Sequence, residues 1–205
     1  MSNLFEIFQV WPDDGTDPSE TTLKKMMSII SNRREDCGYT LISAAKNIDF
    51  EGLKIKSVDV HDVEKGLFEV LPKLKNHWSD LNPKFKSEFL RFYWASNNSN
   101  AFYFDTDVHM KRWVNIFKRK GKPYLVSKNG RGTIVDHHAF FVNGQKVWFR
   151  DLLKICGGRI VMEMEAGRKM KYSTFFSRLN SFAKHKGFYP FNPTFFTHHR
   201  VARES

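Results

Sequence analysis

Asp105-Thr106-Asp107 is the segment of this 205-residue chain whose residue types and spacing most directly suggest chemistry. It directly follows the apolar run Ala101-Phe102-Tyr103-Phe104. Two carboxylates two residues apart share a face if the strand continues, and in a turn at its end they converge on one hard cation. Mg2+ and Mn2+ prefer oxygen ligands and bridge protein carboxylates to a diphosphate. Asp-x-Asp alone is also a common solvated turn. The apolar strand before it, and a helix carrying Arg91 before that, make it specific. Glu88 and Arg91 stand three apart on that helix, the spacing of an ordinary surface pair worth little. Asp136-His137-His138 is a second acid–histidine cluster, suited to a metal, to a base, to the acceptor side of a site, or simply to a strand edge.

These residues need a scaffold that brings them together. Leu4 to Trp11 is short, apolar and aromatic, is stopped by Pro12-Asp13-Asp14-Gly15, and reads as a buried first strand. Pro18 opens a helix in which Leu23, Met26, Met27 and Ile30 fall at helical spacing. Gly38 to Ser43 reads as a second strand, and strand–helix–strand begins an α/β sheet. Residues 60–80 read as irregular helix, and Asn82-Pro83 opens another helix that runs to the polar loop Ser96-Asn97-Asn98-Ser99-Asn100. Thr133–Val135 and Ala139–Val142 read as strands, with Asn143-Gly144 as a tight turn. Trp148–Ile155 and the amphipathic Tyr172–Lys186 read as helices, and the proline-containing tail as extended or looped. The expected class is mixed α/β in a single domain, with no internal repeat.

Composition narrows the partners. Hydrophobic residues make up 41% of the chain, enough for a core. No apolar run approaches the roughly 20 residues a membrane-spanning helix needs. The start MSNLFEIFQVWPDD lacks the basic and apolar regions of a secretory signal. Two cysteines, Cys37 and Cys156, are too few for a disulfide scaffold, so a reduced, cytoplasmic setting is expected. The net charge of +11 is unevenly spread. Residues 1–110 hold 13 Lys+Arg against 17 Asp+Glu, whereas residues 111–205 hold 20 against 5. Within 111–131 there are eight basic residues, Lys118, Arg119 and Lys120 among them, and no acid. Such a half-chain suits phosphates: a nucleotide, a nucleic acid or an anionic membrane surface met peripherally. Its bland alternative is a solvated basic face.

The segment KSEFLRFYWASNNSNAFYFDTDV resembles the sugar-binding region containing the DXD motif of family 32 glycosyltransferases. More remotely it resembles the glucosyltransferase domains of large clostridial toxins. That pattern is a Ser-Asp-x-x-Arg-Tyr helix, a short glycine-containing turn, then Tyr-x-Asp-x-Asp. Ser87, Arg91, Tyr103, Asp105 and Asp107 fit it, while Glu88 replaces the usual Asp and Asn and Ser replace the glycines. Gln9-Val10-Trp11 resembles the end of the family's first strand, which lies beside the nucleotide. Phe188-Tyr189-Pro190 and His198-His199 resemble its closing elements, and Asn143 resembles an Asn near the donor sugar.

The resemblance implies a GT-A (Rossmann-like) domain with a mixed central sheet, a UDP- or GDP-sugar donor and retention of anomeric configuration. It also implies a divalent metal, Mn2+ or Mg2+, on Asp105 and Asp107, with His198 or His199 as a further ligand. Trp11 would stack on the base, Arg91 would hold the donor's sugar or phosphate, and Glu88 would stand beside them. Residues 1–110 would then form the nucleotide-sugar and metal half, and 111–205 the basic, acceptor-side half, including Asp136, His137 and His138. A polyanionic acceptor such as hydroxylated-base DNA of the phage type fits the basic stretch, where Trp113, Phe117 and Tyr124 are interleaved. A glycan, a lipid-linked sugar or a protein hydroxyl are the other acceptors. Two readings compete: a non-catalytic nucleic-acid-binding protein, for which the two acids are dispensable, and a metal-dependent nuclease, which wants a third acid or a Lys beside the pair.

Overall fold

The computed structural model describes residues 5–11, 17–44, 48, 50, 55–111, 113, 120–127, 135–168, 171–191 and 196–198. The elements follow in the order β1 (Phe5–Trp11), α1 (Glu20–Asn32), β2 (Cys37–Ser43), β3 (Lys56–Asp59), α2 (Val60–Val70), α3 (Pro72–Lys75) and α4 (Pro83–Asn97). Then come β4 (Ala101–Phe104), β5 (Val108–Met110), β6 (Tyr124–Ser127), β7 (Val135–Phe141), α5 (Lys146–Glu165), α6 (Tyr172–Lys186), β8 (Tyr189–Phe191) and β9 (Phe196–His198).

Among the described residues, seven strands form one sheet in the order β3-β2-β1-β4-β7-β6-β8. The first four are mutually parallel, β7 is antiparallel to both its neighbours, and β6 and β8 are parallel. The acidic and basic halves of the sequence therefore share a single sheet, joined where β4 meets β7. A separate antiparallel pair, β5 and β9, sits beside it.

Alternation along the strands splits the core into two layers. Phe8, Val10 and Tyr103 face a core shared with helices α2 to α6. Ile7, Phe102 and Phe104 face the other, where Met26, Ile29 and Ile30 of α1 close the sheet. Helix α4 is started by Asn82, whose Oδ1 accepts from Phe85 N at 3.1 Å, and by Pro83 at its first position. It lies between the sheet and α5 and is buried on more than one side. Charged residues in its middle are therefore inside the protein.

Several expectations are refined. The irregular helix at 60–80 is two helices, because Leu71, preceding Pro72, takes φ −129° and ψ 67°. The helix expected at Trp148–Ile155 runs from Lys146 to Glu165, through Gly157, where an added Cβ would collide with Leu71. The two strands expected at 133–142 are one described strand, β7, with residues 133 and 134 outside the described part. Asn143-Gly144 does turn, with φ of 51° and 77°, but it joins β7 to α5 instead of closing a hairpin. The tail supplies two short strands, β8 and β9. No helix among the described residues is long and apolar enough to cross a membrane.

Strand β1 has β2 and β3 on one side and β4 on the other, so the connections leaving β1 and β4 diverge at their carboxyl ends. Open α/β sheets bind their ligands in the crevice that such a reversal of strand order creates.

Candidate active site

A cleft of about 260 Å³ opens at that point. Val10 and Trp11 bring the end of β1 to it, Asp105, Thr106 and Asp107 the turn after β4, and Lys84, Ser87 and Arg91 one face of α4. Tyr103 and Tyr172 also line it. Positions 84, 87 and 91 are spaced by three and four, so a single helix face presents them together. A wider cavity, about 670 Å³, lies at the amino-terminal ends of β1 and β2. Its carboxylate, Glu6, accepts from Thr40 Oγ1 at 2.6 Å and Trp94 Nε1 at 3.1 Å, and among the described residues no acid pair lines it.

The floor of the smaller cleft is an ionic chain. Arg91 Nη1 donates to Asp105 Oδ1 at 2.7 Å, and Tyr103 Oη donates to the same oxygen at 2.6 Å. On its other side Arg91 Nη2 donates to Glu88 Oε1, which also accepts from Tyr172 Oη. The guanidinium lies 4.6 Å from the centre of the Tyr103 ring. Glu88 is wholly buried and Arg91 is 3% exposed, so the surface pair expected from their spacing is an interior one. Burial alone would lower the Arg91 pKa, but the Asp105 and Glu88 carboxylates outweigh it and hold the guanidinium protonated. Burial likewise drives the Tyr103 and Tyr172 hydroxyls far above their ordinary pKa, and Glu88 adds to the effect at Tyr172. Both remain donors at any working pH.

The donor set around Asp105 and Asp107 fits a hard divalent ion. Both side chains offer carboxylate oxygen, the ligand type Mg2+ and Mn2+ prefer, and among the described residues Arg91 pairs with Asp105. Among the described residues no group of three or more His, Cys, Asp or Glu side chains is close enough to hold an ion. An ion on this pair would take its other ligands from substrate oxygens or from residues outside the described part. The turn itself is fixed by backbone: Asp105 N donates to His138 O at 2.7 Å, and Val108 N to Asp105 O at 3.1 Å.

Other sequence-predicted residues fall in different places. Gln9 is fully buried and faces protein, not the cleft. Its Nε2 donates to the carbonyls of Phe104 (3.3 Å) and Asp105 (3.1 Å), while its Oε1 accepts from Tyr39 Oη. It therefore clamps β1 to the acid turn where nucleotide contact was expected. Gln9→Leu should destabilise the fold by about 1–3 kcal/mol, through the buried Tyr39 hydroxyl left without its acceptor. Urea denaturation followed by circular dichroism measures this. Asn143 lies at the other end of the sheet from the cleft. The neighbouring Val142 N donates to Ala101 O, the start of β4, about 13 Å in strand rise from Asp105. Asn143 Nδ2 instead donates to Lys122 O at 2.7 Å. Lys120 is also at that end, its carbonyl accepting from Tyr189 Oη at 2.9 Å, and it is not among the residues lining the cleft.

Asp136, His137 and His138 follow Val135 in β7 beside the acid turn, with His138 buried; the side chains of Asp136 and His137 lie outside the described part. Pairing of β5 with β9 sets His198 opposite Val108, one residue beyond Asp107. The His198 side chain and all of His199, Lys118 and Arg119 are outside the described residues. Tyr172 and Lys84 were not foreseen. Lys84 Nζ stands 3.8 Å above the Tyr172 ring, on the cleft wall.

No protein-family model matches the sequence, and no curated protein is detectably similar to it. Solved structures do match in shape. Mouse xyloside xylosyltransferase 1 in its apo form superposes with a TM-score of 0.57 at 10% identity, covering 93% of this chain and 86% of that one. The PaToxG glycosyltransferase superposes with a TM-score of 0.56 at 10% identity, covering 88% and 69%. The fold is GT-A-like. At this identity the likeness fixes the architecture alone, and the chemistry must be argued from the cleft.

Proposed function

We propose that this chain is a metal-dependent glycosyltransferase, a single domain that moves a sugar from a nucleotide-sugar donor to an acceptor hydroxyl. The observation that carries the reading is the Asp105–Asp107 turn on the floor of a cleft at the carboxyl ends of β1 and β4, within a GT-A-like fold. Both solved structures described above are named as sugar transferases.

Asp107, with Asp105, would hold the ion, and a tail histidine would complete its shell. When bound, a divalent ion supplies Lewis-acid stabilisation of the charge that develops on a departing nucleoside diphosphate. The rest falls to this chain's own side chains. Trp11 offers its ring at the end of β1 to a nucleoside base. Arg91 and Tyr103 orient Asp105, and Lys84 brings a positive charge to the rim for diphosphate oxygens. The bond from the anomeric carbon to the diphosphate breaks, the acceptor oxygen bonds to that carbon from the same face, and the hydroxyl proton leaves with the diphosphate. Configuration is retained.

A UDP- or GDP-sugar is the proposed donor. The excess of base in residues 111–205 supports a polyanionic acceptor, with hydroxylated-base DNA as the leading case. The test is nucleotide release from UDP-, GDP-, TDP- and CMP-sugars with Mn2+ or Mg2+, with and without hydroxymethylated DNA. Slow release from one donor is expected, lost on chelation and stimulated by the acceptor. Salt-sensitive DNA binding with no release from any donor would point instead to the binding protein.

A further inference from the structure

We propose that Tyr172 and Glu88 are positioning residues for the acid pair, forming a buried relay by which the first turn of α6 sets the affinity of Asp105 and Asp107 for a divalent ion. The inference rests on the metal-dependent reading above and adds a control that the Asp-x-Asp motif does not contain. Tyr172 is 84 residues from Glu88 in sequence, yet its hydroxyl donates to Glu88 Oε1. The same oxygen accepts from Arg91 Nη2, and the other end of that guanidinium donates to Asp105 Oδ1. A guanidinium is a rigid planar fork, so fixing one edge fixes the direction of the other. With Tyr103 Oη also donating to Asp105 Oδ1, the carboxylate is held by two donors on one oxygen and cannot rotate freely.

Glu88 thus acts through Arg91 and not on the donor: it is wholly buried and does not line the cleft. The Tyr172 ring is independently anchored, 5.5 Å from the Phe85 ring, 6.2 Å from the Phe175 ring and beneath Lys84 Nζ. Tyr172→Phe therefore removes the relay's first donor while its packing persists. Partners that orient metal ligands from behind commonly change metal affinity by about 10–100-fold, and this one is two bonds further back.

The experiment is Mn2+ titration by electron paramagnetic resonance, without donor and then with UDP, on the native protein, Tyr172→Phe, Glu88→Gln, the double variant and Asp107→Ala. Weakening of Mn2+ binding by about 3–10-fold is expected in each relay variant. The double variant should be no worse than the weaker single one, and Tm in Tyr172→Phe should fall by no more than about 4 °C. Native-like Mn2+ affinity in both Tyr172→Phe and Glu88→Gln would overturn the relay alone, leaving the transferase reading intact. Native protein with no Asp107-dependent Mn2+ binding would overturn the metal reading and the relay with it.

Discussion

Asp107→Ala should lower metal-dependent nucleotide release by at least about 100-fold while leaving the far-ultraviolet circular dichroism spectrum native. Loss of a direct ligand removes more than the 10–100-fold in affinity or activity that supporting residues typically supply, which sets the lower bound. The fold should survive because the turn is held by Asp105 N to His138 O and Val108 N to Asp105 O, and neither bond uses the Asp107 carboxylate. The β5 strand that follows is independently paired to β9. The decisive comparison is native protein against Asp107→Ala at saturating donor, over a range of Mn2+ concentrations. A variant that releases nucleotide within about threefold of the native rate would remove the acid pair from the mechanism. A variant whose activity returns at high Mn2+ would instead show that Asp105 and the remaining ligands bind the ion weakly on their own.

How much of this was legible in the sequence follows the range of the interactions. The acid pair, the strand before it and the capped helix carrying Ser87 and Arg91 lie within about two dozen consecutive residues, and their geometry is set locally. Trp11 ends β1 and lines the cleft, where the short apolar strand before Pro12 puts it. Glu88 and Arg91 were visible as a spacing, but not as an interior pair. Burial on more than one side of α4 depends on α5 and the sheet packing around it, and α5 itself was only half visible because Gly157-Gly158 interrupts its helical pattern. Gln9 is picked out by the resemblance of Gln9-Val10-Trp11 to the family's first strand, yet the parity that turns it to the face opposite Val10 settles its partner as Tyr39, thirty residues on. Asn143 shows the opposite error. A polar turn residue carries no signal of which end of the sheet it occupies, and the antiparallel run of β7 takes it away from the cleft. Tyr172 had no local signature, since it heads an amphipathic helix like many other aromatics. Only the tertiary contact with Glu88 gives it a role.

These differences bear on the electrostatics. In the sequence, Arg91 looks like a side chain free to grip the donor. In the fold it faces Asp105 on one side and Glu88 on the other, and its charge is already committed. Among the described residues, the other cation lining the cleft is Lys84, at the rim. The cleft thus holds two cations in different settings: Arg91 buried against the acids and Lys84 exposed at the rim.

Arg91→Met should therefore be the most destabilising single change in this part of the molecule. The side chain is 4% exposed, and deleting its charge strands the wholly buried Glu88 and the partly buried Asp105 without the cation between them. Breaking a buried ion pair from one side costs about 3–5 kcal/mol, because the surviving charge keeps its desolvation penalty. At roughly 2–4 °C per kcal/mol for a chain of this size, Tm should fall by roughly 6–20 °C. The Tyr103 ring, which packs 4.6 Å from the guanidinium, keeps an apolar neighbour in methionine, so the loss reports charge more than volume. A second substitution separates the two. Adding Glu88→Gln to Arg91→Met removes the stranded charge and should restore more than half of the lost stability, a coupling that two independent sites would not show. Mn2+ binding should stay weak in the double variant even as Tm recovers, because Asp105 no longer has the guanidinium that orients it. An Arg91→Met protein melting within about 2 °C of the native one would mean that the cluster is not the closed ionic chain described above. Recovery of Mn2+ affinity together with Tm would reduce Arg91 to a structural part.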